Sequence, residues 1–556
     1  MKFKRLATIF SVALVVSGLA IAPGTAPPVQ AQNSITYILY ATDGYIQLAD
    51  GTVLYMYGFV GGRSTDYVVY QNSMVAPPGA PKTYVPGALV DGTPVQPPAV
   101  GKGVACQGLT WLTAANNTAC VTQLAGNAQF PAPLIRAAKL DTVEIRLKNL
   151  GVTTKTAPND PHSIHLHGLD VNAANDGVPE TSVGAIPANA VMPGAGNTIF
   201  YYFTPMHAGT YMYHCHQEAD IHVQMGMFGA LVVYEPGDAA YTSWFSTGTP
   251  TGGGTLMGWS WTKETILLLS EFDVRQHVSE QQGLGGNAAF NPVTYQPQYW
   301  SINGLSFPNT IHVAPPGVLP AGVTNWFDQV WLPAHKGYDP LIVGSVGAGD
   351  KVLLRTINMG FETQPMHMHG FHGKIIGSDQ RAWPWANDPL LPTPSGQGME
   401  KNTLTIGSGE TYEWLLDFST WQGRVQPAGT AAGLYQPGTE SRMNNTFNAL
   451  GVLTNVRCDA TKPLNAPMPN TATTCAPILD PVVVPPASYI GGPTVGPILP
   501  DPALPGSVPG NLLKAGFGPN FAFQGQLFPF HNHDDYKATN NGVYPGGMFT
   551  MIATMP

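Results

Sequence analysis

Charged residues are scarce in this chain: Asp, Glu, Lys and Arg together make up 11% of 556 residues. Acids outnumber bases 34 to 25, the formal net charge is −9, and beyond the opening MKFKR no basic cluster occurs. An acidic chain without a basic face lacks the electrostatic footprint that phosphate backbones require, which argues against nucleic acid as a partner. Spanning hydrophobic runs are lacking too. The nearest is LATIFSVALVVSGLAIA, 17 residues directly after MKFKR, and it is short for a membrane span. A basic start, an apolar core and a Pro-rich stretch ending VQA before Gln32 describe a secretory signal over residues 1–31, with an uncleaved anchor as the alternative. Its removal takes away Lys2, Lys4 and Arg5 but no acid, so the formal charge falls from −9 to −12. The mature protein is expected to be secreted or periplasmic and free of the membrane.

Cysteine is sparse, and its count is odd. In an exported chain, Cys106 with Cys120 and Cys458 with Cys475 are expected disulfides, each pair close in sequence within a Gly/Pro/Ala-rich loop. Cys215 is left over, either as a small buried hydrophobe or, given its neighbours His214 and His216, as a metal thiolate. Long helical periodicity is also missing. In its place are 63 glycines, 52 prolines and short alternating segments such as TVEIRLKNL, TIFYYF and KVLLRTI. These read as strands between turns, and they predict an all-β protein.

The chain contains itself twice. PLIRAAKLDTVEIRLKNLG (133–151) matches PLIVGSVGAGDKVLLRTINMG (340–360), with Val, Asn and Gly at shared offsets from Asp141 and Asp350. Each unit is followed by a histidine motif, HSIHLHG from His162 or QPMHMHG from Gln364, and later by an H-x-H element at His214 or His531. An internal duplication of this kind predicts two β-sandwich domains, over 33–240 and 260–556, joined by the Gly/Thr-rich TPTGGGT. The second copy is interrupted between about 422 and 524 by a Pro-rich segment, expected to be a long surface insertion.

Strand parity then sorts the donor atoms. In a strand, i and i+2 share a face about 6.6 Å apart, so His165/His167, His214/His216, His367/His369 and His531/His533 can each present two imidazoles together. Cys215, between His214 and His216, points the other way, and His162, three residues before His165, takes the same inward face. His222 and Met227 follow at distances that let a loop bring them back. Two histidines, a thiolate and a weak thioether form the ligand set of a blue-copper site; zinc accepts imidazole and thiolate as well, but the Met and the nearby histidine pairs favour copper. In the second repeat Gln364 stands in the place of His162 and Asn532 in that of Cys215, so the inward site is expected only in the first.

With these motifs in view, the sequence resembles the multicopper oxidases over nearly all of its mature length. The resemblance implies two cupredoxin-like Greek-key β-sandwich domains and four coppers per chain. His162, Cys215, His222 and Met227 look like the type 1 ligands, where substrate electrons enter. His165 and His367 look like the type 2 ligands; His167, His214 and His533 would hold one type 3 copper, and His216, His369 and His531 the other. This trinuclear cluster would reduce O2 to water with electrons passed from Cys215 through its flanking histidines. Asp176, in DGVPETS, lies where the family places a carboxylate that positions water and relays protons; a turn cap is the plainer role.

Only 151 residues separate His216 from His367, leaving no room for a middle domain. With the blue site in the first repeat, this resembles the two-domain oxidases, whose clusters form between subunits, and implies a homotrimer. A copper nitrite reductase would need fewer histidines, and a non-catalytic copper carrier would not need His367, His369, His531 and His533. The reducing substrate stays open among phenols, aromatic amines and the ions of copper, iron or manganese. Met366, Met368, Met548 and Met551 are scattered and read as structural, while Glu218 and Asp220 read as a solvated loop. His207, His277, His312, His335 and His372 match no motif.

Overall fold

In the computed structural model, the described residues are 33–48, 52–63, 128–152, 160–182, 184, 198–248, 250–284, 289–307, 310, 338–345, 348–383, 399–419, 446–447, 453–454, 526–543 and 546–555. The signal segment, both expected disulfides, nearly all of the 422–524 insertion, His312 and His335 lie outside them.

The first half is built on β1 (Ser34–Gln47), β2 (Val53–Arg63), β3 (Ile135–Ala138), β4 (Thr142–Gly151), β5 (His165–His167), β6 (Thr198–Phe203), β7 (Gly209–His214) and β8 (Phe228–Tyr234). One sheet runs β2-β1-β4-β6 and the other β3-β8-β7-β5. β1 pairs with β4 in parallel and β3 with β8 in parallel, the remaining neighbours being antiparallel. Alternation explains the layering. In β4, Val143, Ile145 and Leu147 are buried while Thr142, Glu144 and Arg146 are half-exposed, so one face closes on the core.

A short hairpin of β9 (Gly254–Leu256) and β10 (Trp259–Trp261) follows, then β11 (Lys263–Phe272), β12 (Tyr299–Ile302), β13 (Ile342–Ser345), β14 (Lys351–Asn358), β15 (Gln364–Met368), β16 (Gly373–Ser378), β17 (Arg381–Ala382), β18 (Met399–Lys401), β19 (Thr403–Ile406) and β20 (Thr411–Asp417). After the isolated hairpin β21 (Thr446–Phe447) and β22 (Leu453–Thr454) come β23 (Gln526–Asn532) and β24 (Phe549–Met555). The two large sheets run β12-β11-β14-β20-β16-β17, with β18 beside β16, and β13-β24-β23-β15-β19.

The duplication is written in this topology. β11 lies parallel to β14 as β1 does to β4, and β13 parallel to β24 as β3 does to β8. The matched aspartates do the same work: Asp141 accepts from Ala138 N at 2.7 Å and Asp350 from Ser345 N at 2.7 Å. The matched asparagines, Asn149 and Asn358, each accept from the glycine two residues on, closing the turn at the strand's end. The protein is thus all-β, with paired Greek-key sandwiches.

Among the described residues three α-helices occur, all short: α1 (Ala219–His222), α2 (Ala239–Thr247) and α3 (Val274–Gln282). Among the described residues no helix is long and apolar enough to cross a membrane. The Gly/Thr-rich segment expected to join the two domains is packed: a Cβ at Gly253 would overlap the Trp261 carbonyl, and one at Gly254 the Asp238 carboxylate.

The two halves are bound by buried polar contacts. Arg355 donates to Glu264 at 2.7 Å, lies over the rings of Tyr234 and Trp261, and reaches Thr210 Oγ1 at 3.3 Å. Thr210 N donates to Glu413 at 2.9 Å, and Thr210 O accepts from Gln380 and Thr411. Glu413 is fully enclosed, and burial raises its carboxyl pKa. These bonds satisfy the stretch of the β7 edge that β5 leaves uncovered, which otherwise would bury unpaired backbone groups.

Candidate metal centres

The inward site forms where β7 ends. Cys215 follows the last residue of β7, its N–H donates to Met227 O at 3.0 Å, and α1 carries His222 back over it. Cys215 Sγ lies 3.3 Å from His222 Nδ1 and 4.0 Å from His162 Nδ1. The three donor atoms fall within 4.8 Å of one another, all fully buried. Met227 is buried on the same loop. Peptide N–H of Ser163 points at the sulfur from 3.5 Å. Burial pushes the Cys215 thiol up to about 11, so in the absence of a cation the sulfur keeps its proton; a coordinating metal removes it outright. One sulfur and two imidazole nitrogens converging in a dry pocket suit a soft, small cation.

On the outward face the expected pairs gather into two groups. His165 stands opposite His214 across β5 and β7, and its ring centroid lies 5.6, 5.1 and 5.2 Å from those of His167, His214 and His216. In the second half His367 stands opposite His531, with centroids 4.9, 5.6 and 4.9 Å from His369, His531 and His533. Donor atoms of His367, His369 and His531 lie within 4.8 Å of one another. His369 and His531 face each other Nε2 to Nε2 at 3.1 Å.

Each group is held by its Nδ1 atoms. His165 Nδ1 has Asp176 O at 2.9 Å and Asp176 Oδ1 at 3.2 Å; His214 has Cys215 O at 2.9 Å; His367 has Thr403 Oγ1 at 2.8 Å; His531 has Asn532 O at 2.7 Å. Where Nδ1 donates to a carbonyl, the Nε2 lone pair is left for a cation. Burial lowers the pKa of His214 to about 3, and desolvation followed by neighbouring imidazoles lowers His167 and His367. Neutral rings are what a metal requires.

The two groups do not meet within the chain: among the described residues no ring pair joins a histidine of one to a histidine of the other. His167 instead faces the second half's turn at Gly409, where a Cβ would sit 3.5 Å from Nε2. Asp176 ends a 3-10 turn, as a cap would, and its contact is with His165.

In the second half Gln364 and Asn532 occupy the inward place. Asn532 N donates to Met548 O at 2.9 Å, as Cys215 N does to Met227 O. Asn532 Nδ2 donates to Gln364 Oε1 at 2.7 Å and approaches Met548 Sδ at 3.5 Å; Gln364 Nε2 donates to Glu271 at 2.8 Å. Two amides and a carboxyl close a hydrogen-bonded knot where the first half gathers metal donors. Sequence reasoning missed Glu271, which has no motif and is found only through its partners. It also missed Thr403 and the tyrosines beside the inward site, Tyr55 and Tyr57, although their i, i+2 spacing in VLYMYGF was a legible signal. His207 lies exposed 3.7 Å from Asp170, His277 is buried against Tyr55 O at 2.6 Å, and His372 is exposed; none joins a site.

A multicopper oxidase sequence profile matches residues 110–238, the stretch holding the inward site and the first outward group. Copper resistance protein A of Escherichia coli is 33% identical over 117 residues, 21% of this chain and 17% of that protein. The iron transport multicopper oxidase FET3 of Candida glabrata is 36% identical over 110 residues, 19% of this chain and 15% of that protein. This chain covers only 16–17% of the length of the copper resistance proteins it matches. The blue copper oxidase of Nitrosomonas europaea aligns in space over 94% of this chain and 86% of its own, at 18% identity and a TM-score of 0.44. Over the very segment that gathers these donors, the chain is thus similar to the multicopper oxidases.

Proposed function

We propose that this protein is a secreted or periplasmic copper oxidase that couples one-electron oxidation of a small reductant to the four-electron reduction of O2 to water. The reading rests above all on Cys215. Its thiol meets His162 and His222 in a buried pocket, while its flanking histidines, His214 and His216, open on the opposite face beside His165 and His167. Copper, when bound, supplies one-electron redox chemistry at the first place and oxygen binding at the second.

The chain's own part is positional. His162, Cys215, His222 and Met227 would hold the type 1 ion. His165 and His367 would hold the type 2 ion, with His167, His214 and His533 on one type 3 ion and His216, His369 and His531 on the other. Backbone continuity from Cys215 to its two neighbours gives electrons a short covalent route between the faces. The Asp176 carboxylate orients His165 and is placed to pass protons at that edge. Because the two histidine groups stand apart in one chain, we take the first group of one copy to be completed by the second group of a neighbour, in a homotrimer. Phenols, aromatic amines and reduced copper, iron or manganese ions are the candidate reductants.

Copper loading of the intact protein tests this. The parent is expected to turn intensely blue and to consume oxygen with a reducing dye. Cys215→Ser is expected to lose both properties while keeping the copper bound by the outward histidines. A blue Cys215→Ser variant, or copper-loaded parent that consumes no oxygen, defeats the reading.

A further inference from the structure

His162 and His222 are 0% and 1% exposed, so a reductant in solution cannot rest against either imidazole. What does touch them is Tyr57, with its ring centroid 5.5 Å from that of His222 and 6.2 Å from that of His162, both edge-on. Tyr57 in turn lies edge-on to Tyr55 at 5.6 Å, and Tyr55 lies 5.4 Å from Tyr45. Strand geometry makes this series. Tyr45 on β1 is the direct partner of Tyr55 on β2, and Tyr55 and Tyr57 are two apart on one face. Tyr45 is the outermost, 7% exposed, with its hydroxyl accepting from the half-buried Gln281 at 3.0 Å.

Packing alone would account for three rings in contact in a core. It does not account for where their hydroxyls point. Tyr55 donates to Asp43 at 3.0 Å, and Tyr57 reaches Glu280 at 3.3 Å and Asp160 at 3.5 Å. A phenol that gives up an electron must also shed its proton, and a carboxylate at hydrogen-bond distance is the acceptor that makes the event reversible in place. Asp43 is buried against β2, an expensive position for a carboxylate with only a structural duty.

We propose that Tyr45, Tyr55 and Tyr57 form an electron ladder from Tyr45, the most exposed of the three rings, to the inward metal site; the proposal rests on the copper-oxidase reading above. One electron would leave the Tyr57 ring towards His222 and the oxidised copper that this site would hold, reducing it, and the phenolic proton would move to Glu280. Tyr55 then refills Tyr57, its own proton passing to Asp43 while that of Tyr57 returns. Tyr45 refills Tyr55 as the Tyr55 proton returns from Asp43, the Tyr45 proton passing to bulk water at its exposed edge, and an external one-electron reductant, a phenol or a reduced metal ion, refills Tyr45 as a proton returns from the same water. Each ring passes through its neutral phenoxyl form and no net proton stays behind. Contact-length steps outrun a single long one, because tunnelling falls exponentially with distance. The substrate then need not enter the pocket, and bulky or surface-bound reductants are the class served.

The test uses copper-loaded full-length protein and its Tyr57→Phe and Tyr55→Phe variants, which keep the rings and lose the oxidisable hydroxyls. The blue absorption and the reduction potential of the inward site are expected to be unchanged. Anaerobic bleaching of the blue band by a bulky phenol is expected to slow by about tenfold or more, the cost of a modestly higher barrier at one step. With oxygen in excess and reductant limiting, rapid freezing of the parent should trap a tyrosyl radical signal that Tyr57→Phe lacks. Glu280→Gln provides a check with every ring in place, and it should slow bleaching too. Equal bleaching rates in parent and variants overturn the ladder while leaving the oxidase reading intact. Parent protein that never turns blue removes both.

Discussion

Glu271 gives the sharpest test of the hydrogen-bonded knot at the inward place of the second half. Its carboxylate is enclosed and accepts from Phe361 N at 2.5 Å, Glu362 N at 3.0 Å, Gln364 Nε2 at 2.8 Å and Tyr295 OH at 3.0 Å. Burial outweighs these donors, and its pKa rises from 4.5 to about 7. An acid whose folded pKa exceeds its unfolded one binds its proton more tightly when folded. The stability it contributes is therefore complete below about pH 4.5, declines as pH climbs through about 7, and is level beyond. A shift of this size corresponds to about 3 kcal/mol across the window. His214 and His277, held neutral by burial with pKa values near 3 and 4, push the other way and blur the slope of the parent. The comparison that isolates Glu271 is with Glu271→Gln, which keeps the shape and cannot ionise. Urea titrations of both proteins, metal-free with chelator present, should show the variant gaining about 3 kcal/mol on the parent between about pH 4.5 and 8. Parallel curves would show that the four donors hold Glu271 ionised throughout, refuting the idea that burial dominates its charge state.

Two further outcomes follow from the geometry. Asp176→Ala should keep the blue colour and the fold, since the peptide oxygen at that position still holds His165 Nδ1, but oxygen uptake should drop by about ten- to a hundredfold; unchanged uptake would leave the carboxylate a simple turn cap. If the two histidine groups are completed between copies, sedimentation should give a trimer, and dilution below its dissociation range should abolish oxygen uptake before the blue colour fades. Uptake that persists in the monomer would refute assembly between subunits.

Much of the site was legible because strand parity is a strict rule. The four H-x-H pairs, the opposed Cys215 and the substitutions at Gln364 and Asn532 required only the period of two, and the donors fall as that period dictates. The repeated segments also have equivalent places in the two halves, since Asp141 and Asp350 each accept from the N–H that ends the preceding strand. Other features were hidden because they depend on partners far apart in sequence. Glu271 meets Gln364 across 93 residues, and Arg355 meets Thr210 across 145. The packing of the Gly-rich joining segment was likewise hidden: at Gly253 and Gly254 the backbone approaches Trp261 and Asp238, contacts that composition alone does not specify.

The carbonyl bonds to His214 and His531 carry a wider implication. Each imidazole is steadied by the peptide oxygen of the next residue, an atom that every amino acid possesses. The side chain at that next position is consequently free to change from sulfur to amide without disturbing the ring beside it. A chain made this way can exchange the side chains of one inward pocket and still hold the histidines on the other face in register, so the two faces can diverge independently.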